Sequence, residues 1–82
     1  MNRIRRKALS DIMAQLESIK ERIESVLEEE EEARDSIPES LQDSERYEKS
    51  DDACYNLDAA IESIEEAIDS LEEAKIEEEI AE

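Results

Sequence analysis

The stretch Asp35-Ser36-Ile37-Pro38-Glu39-Ser40-Leu41-Gln42-Asp43-Ser44 holds the single proline of an 82-residue chain, together with a cluster of turn formers. Its reading decides the fold. On both sides the sequence has no glycine and is rich in Ala, Leu, Glu, Lys and Arg, which favour helix. Two helical arms are therefore expected, over 2–34 and 44–80, with a turn at 35–43 between them. Ser36 with Glu39 fits a capping box, and Pro38 suits the first turn of a short helical piece near 38–42. Asp43 or Ser44 then caps the second arm. So short a link folds the arms back as antiparallel neighbours.

The apolar pattern places the seam. In arm one Leu9, Ile12, Leu16, Ile19, Ile23 and Val26 step by three and four, and the count continues onto Glu30 and Ala33. This is a coiled-coil repeat with core positions a and d, and Met13 and Leu27 widen the stripe at position e. In arm two Tyr47, Ser50, Cys54, Leu57, Ile61, Ile64, Ile68 and Leu71 follow the same steps. Ala53, Ala60, Ala67 and Ala74 recur every seventh place at position g. With Ala33 facing Tyr47, Ile4 falls near Ile76 and Ile80, and Lys20 near Asp58. The fold class is all-α, an antiparallel two-helix hairpin. Its stripe is too wide for two helices to cover, so self-association into a four-helix or larger bundle is expected. Met13, Leu27, Ala53, Ala60, Ala67 and Ala74 are the candidate seam between chains.

Charge sets the function classes. The chain has 27 acids against 10 bases, a net charge of −17, and no His. Without His, His-dependent nucleophilic catalysis and His-ligated metal are excluded. Without Gly, the phosphate-cradling nucleotide loops are excluded too. One Cys makes neither an internal disulfide nor a thiolate zinc site. The run Glu28–Glu32 lacks the glycine turn of a calcium loop, so no metal or cofactor is assigned. That run puts Glu30 at a core position, which suggests either fraying or a contact with a cation or basic peptide. Cys54, at a core position among acids, reads as an inert hydrophobe with a raised pKa. No apolar run is long enough to span a membrane. Nor does the basic start, Arg3, Arg5, Arg6 and Lys7, lead into a signal-peptide core. That start reads as paired with the acidic tail, Glu77, Glu78, Glu79 and Glu82. Residues 11–82 carry 21 surplus negative charges, which would repel nucleic acid.

Two acidic rows remain. Glu17, Glu21, Glu24, Glu28 and Glu31 line one arm, and Asp58, Glu62, Glu65, Asp69 and Glu72 the other. Steps of three and four keep each row on one side of its helix. The rise gives one carboxylate per about 5 Å, comparable with one phosphate per about 3.4 Å along a nucleic-acid strand. A solvated coiled-coil face is the ordinary explanation of such rows. Against it, residues 51–82 hold 13 acids and one base, Lys75, so like charges crowd at a cost to helix stability. Tyr55 faces outward among these acids and is a candidate contact.

Ile37-Pro38-Glu39-Ser40-Leu41-Gln42-Asp43-Ser44-Glu45-Arg46 lies between the basic start and the later run Ala67-Ile68-Asp69-Ser70-Leu71-Glu72-Glu73-Ala74. In this the chain resembles a group of small acidic helical proteins carried by phages and mobile elements of Firmicutes. The resemblance implies a bacterial cytoplasm with defence nucleases as its setting, and it carries over no catalytic residues. The expected function is a non-enzymatic inhibitor that imitates nucleic acid. Its expected partner is a basic nucleic-acid-binding protein such as a restriction or CRISPR nuclease. The alternative is an assembly module acting through its Ala and Met flanks.

Overall fold

The computed structural model describes the backbone of residues 3–81 and the side chains of residues 3–77. Helix α1 spans Arg3–Asp35 and helix α2 spans Glu45–Ala81. A single 3-10 turn, Glu39–Leu41, lies between them. The expected start of arm one at Asn2, the Ile4–Ile80 neighbourhood and the pairing of the basic start with Glu78, Glu79 and Glu82 fall outside the described residues. Within them, Lys7 pairs along its own helix with Asp11, at 3.2 Å.

The bend uses different hydrogen bonds from those expected. Ser36 does not form a capping box with Glu39. Its hydroxyl instead donates back to the Glu32 carbonyl at 2.7 Å, closing the last turn of α1. Pro38 precedes the 3-10 turn without a side-chain cap, and Leu41 N–H donates to the Pro38 carbonyl at 2.8 Å. Ser44 does cap α2: its hydroxyl oxygen accepts from Tyr47 N–H at 3.3 Å. Ile37 turns inward and is 7% exposed, closing the bend end of the seam.

The helices run antiparallel. Ser50 donates to the Glu30 carboxylate at 2.7 Å, Arg34 reaches Asp51 at 3.0 Å, and Lys20 reaches Glu65 at 3.8 Å. From Lys20–Glu65 to Arg34–Asp51 the residue number falls by 14 on α2 as it rises by 14 on α1, as in a hairpin. The result is a rod with Cα extents of 62 × 16 × 12 Å. Its core is thin. Among the described residues only Ile37, Cys54 and Ile61 are buried apolar residues.

In α2 every residue of the expected a/d set is buried or half-buried, from Tyr47 to Leu71. In α1 the seam is rotated. Leu9, Leu16, Ile23 and Glu30 face inward as expected, but the second line is Met13, Lys20, Leu27 and Arg34, all half-buried. Ile12, Ile19 and Val26 are turned out, at 43%, 43% and 50% exposure, and Ala33 is exposed with them. Position e has displaced position d. Met13 and Leu27 therefore belong to the seam within the hairpin, not to an open flank. The rotation carries Lys20 and Arg34 to the acids of α2. Their long side chains bury stems and keep their charged ends at the surface. The expected neighbour of Lys20, Asp58, is replaced by Glu65. Opposed e positions add to 85 when the a–d pair Glu30–Ser50 adds to 80.

Candidate partner-binding face

The rotated register gives the hairpin two unlike sides. The side bearing Lys20–Glu65 and Arg34–Asp51 gathers the acids. There Glu21, Glu24, Glu28 and Glu31 of α1 converge with Asp58 and Glu65 of α2 on one groove, with Leu27 and Ile61 among its lining residues. Six of the ten residues in the two acidic rows thus share one concavity. The neighbouring groove towards the bend is lined by Glu31, Asp51, Asp58, Arg34, Cys54, Leu27 and Tyr55. Tyr55 stands at 75% exposure beside those carboxylates. Glu17 sits at the end of the row, 3.0 Å from Lys20. Glu62, Asp69 and Glu72 are exposed on α2 but line neither groove.

Two cations temper this face. Lys20 bonds Glu17 and lies beside Glu65, and its pKa is raised. The hydrogen bond to Glu17 is the main cause, and the charges of Glu17, Glu65 and Glu24 add to it against desolvation. Arg34 is raised as well, first by its hydrogen bond to Asp35 and also by that to Asp51. These contacts relieve part of the like-charge crowding from within the chain. Repetition every seven residues from Met13 through Lys20 and Leu27 to Arg34 was the sequence signal for both.

Glu30 does not fray α1, which continues to Asp35 with its carboxylate accepting from Ser50. Cys54 is 5% exposed, and burial pushes its thiol pKa up. Glu30, Glu31 and Asp51 push the same way against Arg34. Of the acids expected around it, Asp51, Asp52 and Asp58, Asp51 acts on the thiol, and Glu30 and Glu31 of α1 take the place of the other two. Among the described residues no group of three or more Cys, Asp or Glu side chains is arranged to hold a metal ion. No helix among them is long and apolar enough to cross a membrane.

The other side of the rod is different in kind. Its groove is lined by Ile19, Arg22, Ile23, Val26 and Leu57. Ala53, Ala60 and Ala74 are half-buried, and Ala67 is exposed. No family model matches the chain, and no curated protein and no solved structure matches it.

Proposed function

We propose that the protein is a non-enzymatic acidic binding protein that occupies the nucleic-acid-binding surface of a basic partner. The supporting observation is the convergence of Glu21, Glu24, Glu28, Glu31, Asp58 and Glu65 on one groove of an elongated rod. Carboxylates from two antiparallel helices there form two roughly parallel lines of negative charge, as the two strands of a duplex do. The two helices fix the spacing of these lines, and the matching of opposite charge favours association with a cationic groove. Tyr55 adds an aromatic surface at the edge, a residue type enriched where interfaces are strong.

The partner class is a host defence nuclease, of restriction or CRISPR type, met in a bacterial cytoplasm. Its support is the acidic rod together with the resemblance to phage and mobile-element proteins. The neutral side favours a second reading, an assembly module that joins other chains through apolar contacts.

The experiment is competition. A panel of purified restriction and CRISPR nucleases is bound to labelled duplex DNA or guide-loaded target, and the protein is added at increasing concentration. Displacement that weakens steeply with salt supports the proposal. A second chain carries Glu62, Glu65, Asp69 and Glu72 as Gln or Asn, and a third carries Gln at Glu21, Glu24, Glu28 and Glu31. Both should lose competition while remaining helical. A nuclease panel whose nucleic-acid binding is undisturbed at saturating protein would overturn the reading.

A further inference from the structure

The side opposite the acidic groove is almost free of charge along its middle. On α1 it carries Ile12, Ile19 and Val26, with Gln15, Ser18 and Ser25 beside them. On α2 it carries alanine every seventh residue from Ala53 to Ala74, with Asn56, Ser63 and Ser70 between. Arg22 is the single charge among these fourteen positions, in a chain that is 45% charged. At that overall frequency about six charges would be expected. Charges return on this side only towards its ends, at Asp11, Glu29, Glu32 and Glu77 and, beside the bend, at Arg46 and Lys49. The face also leaves large apolar groups in water, since Ile12 and Ile19 are 43% exposed and Val26 is 50% exposed.

We propose that this neutral face receives a second copy of the chain, giving a two-fold four-helix bundle whose symmetry axis runs along the hairpin. Two observations select a second copy. The first is electrostatic. A partner of charge −17 is repelled by the acidic side and meets almost no opposing charge on this one. Docking here also turns the two acidic faces outward. Two helix layers of roughly 10 Å each then separate them, well beyond the Debye length of about 8 Å at physiological salt.

The second is shape. One half of the face is a line of large side chains and the other a line of small ones. A two-fold axis along the rod lays α1 of each copy over α2 of the other, so large residues meet small ones. The alternative axis, across the rod, would lay the large line on the large line. The register also fits. Glu30–Ser50 and Lys20–Glu65 set which residues share a height on the two helices. By that register Ile19 lies level with the space between Ala60 and Ala67. Val26 lies between Ala53 and Ala60, and Ile12 between Ala67 and Ala74. Each knob of one copy thus meets a hole of the other. This inference concerns the face that the proposed partner does not use, and it stands apart from that reading.

The test is sedimentation equilibrium of the full chain from low micromolar to hundreds of micromolar, at 50 mM and 500 mM NaCl. The expected result is a monomer–dimer equilibrium that tightens with salt, the reverse of the salt response expected for a cationic partner. Ile19→Glu and Ala60→Glu should each weaken dimerisation by roughly tenfold or more, because each buries a carboxylate without a partner. Tyr55→Glu on the acidic side should leave it unchanged. Cross-linking checks the arrangement even if the Glu variants lose helix. Chains carrying Ile19→Cys and chains carrying Ser63→Cys, both with Cys54→Ala, are mixed and oxidised. The mixed 19–63 disulfide should predominate. A monomer mass at every concentration, an assembly larger than a dimer, full dimerisation of Ile19→Glu, or dominant 19–19 cross-linking would each overturn the proposal.

Discussion

Arg34 crosses the hairpin to Asp51, its Nη1 donating to Oδ1 at 3.0 Å, while its Nε holds Asp35 at 3.1 Å. One guanidinium therefore ties the last turn of α1 both to itself and to the second turn of α2. Arg34→Ala should lower the urea midpoint. Arg34→Lys should recover part of the loss, because an ammonium lacks the planar fork that reaches two carboxylates. A double-mutant cycle with Asp51→Asn should show positive coupling. Additive losses would place the effect of Arg34 elsewhere.

With so thin a core, truncations should separate sharply by position. Ile61→Ala and Ile37→Ala, both at buried isoleucines, should each cost about 2–4 kcal/mol in chemical denaturation. Leu41 is 54% exposed on the 3-10 turn, so Leu41→Ala should cost under about 1 kcal/mol. Equal losses at Ile37 and Leu41 would contradict the described bend.

The α2 seam was legible from sequence because the eight expected positions are all occupied as expected, seven of them by apolar or aromatic side chains and one by Ser50. The α1 seam was not, because two lines compete for one place beside Leu9, Leu16 and Ile23. The line Ile12, Ile19, Val26 is the more apolar. The line Met13, Lys20, Leu27, Arg34 contains two cations, which a purely hydrophobic reading counts against it. In a chain of −17 those cations face Glu65 and Asp51, and that pairing is invisible until the register of the other helix is known. The acidic rows are legible from spacing alone. Their convergence on one groove required the same rotation. The burial of Ile37 is not legible, since a lone apolar residue beside proline has no periodicity to place it.

Cys54 supplies a pH test. Its pKa is raised by burial in the folded chain, so the folded state holds the thiol proton more tightly than the unfolded state does. The stabilisation is complete below the unfolded value of about 8.5 and is lost as pH rises towards the folded value. The thermal midpoint should therefore begin to fall above about pH 8.5, and Cys54→Ala should remove that step. Lys20, also raised, contributes stability below its unfolded value of about 10.4, lost at higher pH still. At pH 8 the thiol of the folded chain should react with a disulfide reagent far more slowly than that of the urea-unfolded chain. Equal rates would mean that the thiol is not shielded.

Salt should stabilise the rod. Most ion pairs here are exposed and contribute little, while crowded carboxylates repel along both helices. The thermal midpoint should rise from 10 mM to 500 mM NaCl. Replacing Glu21, Glu24, Glu28 and Glu31 with Gln should raise it at low salt and shrink its salt dependence. A midpoint that falls with salt would show that attraction across the seam outweighs repulsion along it.

Acid on one long side and near-neutrality on the other give the rod an electric moment at right angles to its length. A single hairpin drifting towards a cationic surface feels a torque about its long axis before any atom touches. It arrives broadside, with the groove of Glu24, Glu31 and Asp58 turned forward. Fewer encounters are then wasted on wrong orientations, so the association rate gains from the rotation as well as from the attraction.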